Sequence, residues 1–120
     1  MKSGEIHLVC LDPTVGDEIR KTRPVVILNA GDQKHLRLAI VVPVTQWRPK
    51  WEKNPFFVTA DPEPRHGLDR KLAIDCFQIR ALSHDRFVRR LGRLNATEMD
   101  RVKTALALIL DVETEHCRLP

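Results

Sequence analysis

The chain has 120 residues and a mass of 13.8 kDa, the size of a single domain over residues 1–120. That length excludes a large multidomain enzyme and a dinucleotide-binding architecture with two Rossmann halves. Twenty Lys and Arg against 16 Asp and Glu give a net charge of +4, which permits a nucleic-acid partner without requiring one. No apolar run reaches the ~18 residues of a membrane span, so we expect a cytoplasmic protein with no membrane contact.

The cysteines and histidines do not follow a metal-binding pattern. Cys10, Cys76 and Cys117 are odd in number, far apart and lack C-x-x-C spacing, so we expect free thiols. None of the five histidines is spaced as half of a ligand pair. His7 lies on a predicted strand and is expected to be structural, whereas His66, in a Pro-rich loop, is better placed for a surface site. The sequence predicts neither a metal nor a cofactor.

Apolar and alternating segments predict short strands along most of the chain. In chain order, these segments cover residues 6–11, 24–28, 36–44, 56–59, 72–82 and 87–91. The segment 72–82 is expected to be one long, bent strand, and residues 84–86 a helical turn. Polar loops at 17–22, 46–54 and 61–71 separate the strands.

The last element is an amphipathic helix, predicted over residues 96–112. Asn95 is placed as its N-cap and Glu98 stands at the third helical position, as in a capping box. Apolar residues then recur at helical spacing: Met99, Val102, Leu106, Ile109 and Leu110. Several short strands followed by one helix predict a mainly β, α+β fold, a small barrel with a helix packed on it.

Charged residues cluster in the first loop and lead into a strand. They are Glu18, Arg20, Lys21 and Arg23. Because Arg23 precedes Pro24, its backbone is biased toward extended geometry at the start of a strand, where a site residue is held rigidly. Thr45 ends the third predicted strand and offers a hydroxyl at a strand–loop junction.

The next loop interleaves aromatic and cationic side chains. Trp47 and Trp51 lie among Arg48, Lys50 and Lys53. Such a pattern suits base stacking and phosphate contact with single-stranded nucleic acid. A solvated hairpin whose tryptophans pack on the barrel explains the same pattern, and the sequence leaves both interpretations open.

Several short motifs occur in a specific order along nearly the whole chain. They are Gly4-Glu5-Ile6, Leu11-Asp12-Pro13-Thr14, Gly16, Glu18, Lys21, Arg23-Pro24-Val25, Val42-Pro43-Val44-Thr45, Gly67-Leu68, Gln78-Ile79-Arg80 and Gly92-Arg93-Leu94. Each motif alone is weak, but together they resemble the MazF/PemK (Kid) toxin family.

The resemblance implies an SH3-like antiparallel barrel with a C-terminal helix, assembled as a homodimer. It implies a metal-independent endoribonuclease, an mRNA interferase, that cuts single-stranded RNA at short sequences and is inhibited by a cognate antitoxin. Operator DNA is expected as a partner only of the toxin–antitoxin complex. By resemblance, Arg23 and Thr45 match the family's catalytic pair, and Glu18 is the candidate base. The candidate RNA-binding residues are Asp17, Arg20, Lys21, Trp47, Arg48, Asp75, Gln78 and Arg80.

The chain departs from the family pattern at two positions. Asp17 stands where some relatives have a histidine, and Phe77 where an acidic residue is usual; Asp75, two residues earlier, is a candidate substitute. These departures leave open a catalytically weakened protein that binds RNA or operator DNA. A topoisomerase-directed toxin of the same fold is a further alternative, but it would not need the pair of Arg23 and Thr45.

Overall fold

The computed structural model describes residues 1–31 and 35–113. Within them the chain forms seven β-strands and one α-helix: β1 (Glu5–Cys10), β2 (Thr22–Ile27), β3 (Leu38–Gln46), β4 (Phe57–Ala60), β5 (Leu72–Asp75), β6 (Arg80–Ser83), β7 (Phe87–Arg93) and α1 (Ala96–Ile109). Four 3-10 turns connect them, at Pro49–Trp51, Pro64–His66, Cys76–Gln78 and His84–Arg86. The expected helical turn at 84–86 is confirmed, and Cys117 lies outside the described residues.

All strand pairs are antiparallel, in the order β4-β5-β3-β2-β1-β7, with β6 also paired to β3. Strand β3 organises the sheet because its nine residues pair with three partners in succession. Its first part pairs with β6, its middle with β2 and its end with β5. This change of partner curves the sheet into the expected small, barrel-like fold with a C-terminal helix.

The sheet buries both of its faces, which explains the continuous apolar run in β2. Val26 packs into a core between the sheet and α1, where it meets Ile6, Val42 and Val102. Val25 and Ile27 point the other way, into a second core with other buried residues. Because both faces of this strand are covered, its residues are apolar on both sides and do not alternate between apolar and polar.

Helix α1 begins where the sequence predicts. The Asn95 side chain accepts the N–H of Glu98 at 2.7 Å, and the Glu98 carboxylate accepts the N–H of Asn95 at 2.8 Å, completing a capping box. The predicted end at residue 112 is wrong: the helix ends at Ile109, and Asp111 has a left-handed φ of 57° that stops the helical path. No helix in the described ranges is long and apolar enough to cross a membrane.

The single long strand predicted over 72–82 is also wrong, because the turn Cys76–Gln78 divides it into β5 and β6. The Asp75 carboxylate accepts the N–H of Phe77 at 3.1 Å and so caps this turn. A local side-chain bond of this kind competes with the strand ladder. The break directs β5 toward the end of β3 and β6 toward its beginning.

Candidate active-site cleft

Arg23 lies on β2 and Thr45 lies on the neighbouring strand β3. The β2–β3 register pairs Val25 with Pro43, so each of the two residues lies two positions beyond this pair, toward the same end of the strands. Both side chains line one cleft of about 210 Å³. The Arg23 Nε donates to the carbonyl oxygen of Arg20 at 3.3 Å, which leaves its terminal nitrogens for a ligand. The structure therefore brings together the pair that the sequence predicts.

The opposite wall of this cleft comes from residues that the sequence analysis missed. Asp69, Arg70 and Lys71 precede β5 and line the cleft with Arg23. The only sequence signal was a run of charges directly after the Gly67-Leu68 motif. Their position depends on the β3–β5 pairing, which sets Thr45 opposite Ala73. Three cations and one carboxylate make the cleft basic and suited to a phosphodiester.

A second cavity, of about 380 Å³, gathers four other predicted site residues. Asp17, Glu18, Gln78 and Arg80 line it together with the exposed ring of Phe77. Gln78 joins its two sides, since Oε1 accepts the N–H of Ile19 at 2.7 Å and Nε2 donates to the carbonyl oxygen of Asp17 at 3.2 Å.

Glu18 does not line the cleft that holds Arg23 and Thr45. Its Oε1 accepts the backbone N–H of Val15, so the carboxylate turns back on its own loop. Asp69 is the single carboxylate residue among the described residues that line the Arg23 cleft. Of these two carboxylates, Asp69 is therefore the one that lines the same cleft as Arg23 and Thr45.

Arg20 and Lys21 are exposed on the same loop. Lys21 adopts a left-handed backbone with φ of 73°, and its carbonyl oxygen accepts the N–H of Leu11 at 2.9 Å. A non-glycine residue in this region is uncommon and costs about 1 kcal/mol or more. The conformation turns the chain directly before β2, whose second residue is Arg23.

Asp75 is only 7% exposed. Burial raises the pKa of its carboxyl group above the usual range, although hydrogen bonds from Phe77 and Gln78 oppose that effect. Its carboxylate serves the turn that ends β5, as described above. A contact of Asp75 with RNA stays a prediction.

The tryptophan loop folds back onto the protein. Trp51 stacks on Phe57, with ring centroids 4.0 Å apart and planes 8° from parallel. Trp47 donates to Glu52 Oε1 at 2.9 Å, and Lys71 Nζ lies 4.5 Å from the Trp47 ring. The packing predicted as one alternative thus applies to Trp51.

Glu52 anchors this loop to the wall of the cleft. Lys71 Nζ donates to Glu52 Oε1 at 2.7 Å, and that hydrogen bond is the largest cause of a lowered Glu52 pKa. Arg48 is exposed on the same loop, directly before the turn Pro49–Trp51. Trp47 therefore lies near Lys71, which lines the Arg23 cleft.

The described chain thus combines a curved antiparallel sheet, one helix after the last strand, and a basic cleft lined by Arg23 and Thr45. The chain belongs to the family described as the PemK-like, MazF-like toxin of type II toxin–antitoxin systems, which matches residues 2–110. The resemblance stated from the sequence is confirmed.

Two relatives are similar over nearly the whole chain. The chain is 38% identical over 112 residues to the endoribonuclease PemK of Escherichia coli, covering 92% of this chain and 82% of the relative. It is 36% identical over 118 residues to the endoribonuclease MazF9 of Mycobacterium tuberculosis, covering 93% and 98%.

The fold matches solved MazF structures. One from Deinococcus radiodurans has a TM-score of 0.79 at 21% identity, covering 93% of this chain and 97% of that one. A mycobacterial endoribonuclease in complex with its cognate antitoxin has a TM-score of 0.73 at 20% identity, covering 94% and 97%. At these identities the likeness concerns the fold.

Proposed function

We propose that this toxin is a metal-independent endoribonuclease that cuts single-stranded RNA at a short sequence. The observation that carries the proposal is the shared cleft of Arg23 and Thr45, with Arg70 and Lys71 on its opposite wall. A guanidinium and a hydroxyl side by side can each donate to the non-bridging oxygens of one phosphate. The endoribonuclease names of two relatives support the same activity.

The proposed reaction is an internal transfer at phosphorus. The ribose 2′-oxygen bonds to the adjacent phosphorus while its proton passes to a base, and the P–O5′ bond breaks as the 5′-oxygen takes a proton. The products are a 2′,3′-cyclic phosphate and a 5′-OH end. Arg23 stabilises the charge that develops on the equatorial oxygens, and Thr45 donates a second hydrogen bond to them. Arginine stays protonated at working pH and cannot be the base.

We assign the base to Asp69, in place of the Glu18 expected from the sequence. A base must reach the proton that it removes, directly or through one water. Asp69 lines the cleft with Arg23, whereas Glu18 lines the second cavity. Asp69→Asn should therefore reduce the cleavage rate constant more than Glu18→Gln does, and the reverse order would return the role to Glu18.

The proposed RNA path continues from the cleft over the neighbouring surfaces. Exposed cations and aromatic rings are suited to flanking phosphates and bases. The residues proposed to contact RNA are Asp17, Arg20, Lys21, Trp47, Arg48, Asp75, Gln78 and Arg80.

The proposal includes partners and assembly. We propose a cytoplasmic homodimer that a cognate antitoxin inhibits, and that contacts operator DNA only with that antitoxin. The solved complex of a fold relative with its antitoxin supports the first partner. Light scattering of the purified chain should then give twice the 13.8 kDa chain mass.

The test is cleavage of a long single-stranded RNA by antitoxin-free protein in EDTA. Wild type should give discrete cuts with 5′-OH ends, and Arg23→Ala should lower the cleavage rate constant by about 10²-fold or more. Arg89→Ala is the matched control, because Arg89 is exposed on β7 and lines neither cavity.

If folded wild-type protein leaves the RNA intact, the proposed enzyme activity is contradicted. That result would favour binding of RNA or DNA, or a topoisomerase-directed toxin. Gyrase inhibition would identify the last of these. Cuts that persist in Arg23→Ala at the wild-type rate would show that the reaction does not use this cleft.

A further inference from the structure

Three potential metal ligands meet beneath the capped end of α1. The ligand atoms of Glu63, His66 and Glu98 all lie within 4.8 Å of one another. Glu63 and His66 belong to the β4–β5 connection and its turn Pro64–His66, whereas Glu98 lies in the first turn of α1. His66 and Glu98 are 32 residues apart in sequence and still converge at one point, which the spacing of the histidines did not indicate.

Two buried polar atoms of this cluster have no hydrogen-bond partner among the described residues. His66 is fully buried, its Nε2 is 3.0 Å from both carboxylate oxygens of Glu98, and its Nδ1 has no hydrogen-bond partner. Glu63 Oε2 is buried without a hydrogen bond, although Arg65 Nε lies 3.3 Å away as an ion pair. Buried polar atoms are nearly always satisfied, so each such atom requires an explanation.

Glu98 can bind a cation and still cap helix α1. Its Oε1 accepts the N–H of Asn95, while Oε2 has only the contact with His66. A cation bound at Oε2 would leave the capping box intact. His66, which the sequence makes a better candidate than His7 for a surface site, is fully buried in the turn Pro64–His66.

The cluster is reached from a cavity of about 350 Å³. Four carboxylate residues line this cavity, and only two cationic residues offset them: Glu52, Asp61, Glu63 and Glu98 against Lys71 and Arg101. An electronegative opening of this size admits a hydrated cation and supplies waters to complete its coordination. Glu52 is already engaged by Lys71 and Trp47, whereas Glu63 Oε2 is buried and has no hydrogen bond.

We propose that Glu63, His66 and Glu98 bind one divalent transition-metal ion of the zinc type. Imidazole together with carboxylates suits Zn²⁺, whereas Mg²⁺ prefers an all-oxygen shell that keeps several waters. A dication balances the two carboxylates, takes the place of the contact between His66 Nε2 and Glu98, and gives Glu63 Oε2 the partner that it lacks. The role is structural, since the ion joins the β4–β5 connection to the start of α1.

The test is Zn²⁺ binding to the full-length, chelator-stripped protein. Cys10→Ser and Cys117→Ser in the background remove two thiols that could bind the ion elsewhere. Calorimetry should give one ion per chain, and the thermal unfolding midpoint should rise until the site saturates. Glu63→Gln should weaken binding roughly tenfold or more, whereas Glu52→Gln, the same change in the same cavity, should leave affinity unchanged.

Absence of saturable binding, or equal affinity in wild type and Glu63→Gln, would overturn the proposal. Circular dichroism of Glu63→Gln checks the fold, which is expected to hold because the Oε2 removed accepts no hydrogen bond. Co²⁺ as a spectroscopic probe should show no thiolate charge-transfer absorption, and its presence would mean that cysteine is the ligand.

The outcome is separable from the cleavage proposal. RNA cleavage in EDTA is measured on the metal-free protein, and Glu63→Gln should leave its rate unchanged. Zn²⁺ binding with no cleavage, or cleavage with no Zn²⁺ binding, each contradicts one proposal and leaves the other intact.

Discussion

The side-chain amide of Gln78 fastens the loop between β1 and β2 to the turn Cys76–Gln78, with Oε1 2.7 Å from the N–H of Ile19. The same amide donates to the carbonyl oxygen of Asp17. Both polar ends of Gln78 are therefore used within the protein. A residue predicted from the sequence as an RNA contact thus also positions Asp17 and Glu18 beside the second cavity.

Gln78→Ala should lower the free energy of unfolding by about 1–2 kcal/mol, because two backbone groups lose their partner. The loop should also become more sensitive to limited proteolysis near Glu18, and the KM for RNA should rise more than kcat falls. Urea denaturation and steady-state cleavage measure these effects. Gln46→Ala, at an exposed glutamine, is the stability control; equal losses in the two variants would contradict the positioning role.

Thr45→Val should remove catalysis while preserving the strand. Valine keeps the shape and β-branching of threonine and loses only the hydroxyl that we assign to the phosphate. We expect the single-turnover rate constant to fall by about 10²-fold, with unfolding free energy nearly unchanged. Thr45→Ser restores a hydroxyl and should recover most of the rate. Equal rates in the Val and Ser variants would show that the hydroxyl has no part in the reaction.

Asp75→Asn should change how stability depends on pH. Because burial raises the pKa of Asp75 in the folded state, the folded protein binds this proton more tightly than the unfolded chain does. The stability gained from the proton is complete below the unfolded pKa, near 3.8, and is lost as pH rises through the raised folded pKa. The stability of Asp75→Asn relative to wild type should therefore increase over this window and then level off.

Urea denaturation at a series of pH values tests this prediction. In the Asp75→Asn variant the side-chain amide oxygen can still accept the N–H of Phe77, so the turn keeps its cap. Asp85→Asn makes the same change at an exposed carboxylate and is the control. A relative stability that shrinks as pH rises would contradict the burial argument.

The thiols of Cys10 and Cys76 should react very differently. Burial raises the pKa of Cys76 to about 12, and the neighbouring Asp75 charge adds to this, while Cys10 is exposed. Since the thiolate is the nucleophile, iodoacetamide at about pH 8 should alkylate Cys10 and spare Cys76 until urea unfolds the chain. Peptide-level mass spectrometry distinguishes the sites. Labelling of Cys76 in native protein at the rate of Cys10 would contradict its burial.

Local chemistry predicts much of this fold. The alternating pattern of β1 assigns Ile6 to one face and Val9 to the other, and the two fall into different cores. The capping box of Asn95 and Glu98 is present because both partners lie within one helical turn. The break after β5 was missed because hydrophobic periodicity carries no signal for the hydrogen bond that the N–H of Phe77 donates to Asp75.

The site was predictable only in part, for a related reason. Arg23 and Thr45 follow from short motifs within single strands, whereas Asp69 reaches their cleft through the β3–β5 register. The approach of His66 to Glu98 depends on how a loop folds over a helix end. Long-range contacts of this kind have no periodic signature in one sequence.

Gly92 of β7 allows the turn Pro64–His66 to pack directly on the strand backbone. A Cβ at position 92 would lie 2.1 Å from the carbonyl oxygen of Arg65 and 2.4 Å from the carbonyl carbon of His66. Backbone atoms cannot rotate aside, so Gly92→Ala should displace the turn and lower the free energy of unfolding by about 1–3 kcal/mol or more. The displaced turn should also separate His66 from Glu98 and weaken Zn²⁺ binding.

Gly16→Ala is the control for this prediction. The Cβ added at position 16 meets nothing within 4 Å, so only the cost of the left-handed φ of 59° remains, and the Zn²⁺ affinity should not change. Urea denaturation and calorimetry of the two variants measure the difference, and equal Zn²⁺ affinities would show that the position of the turn does not control the site.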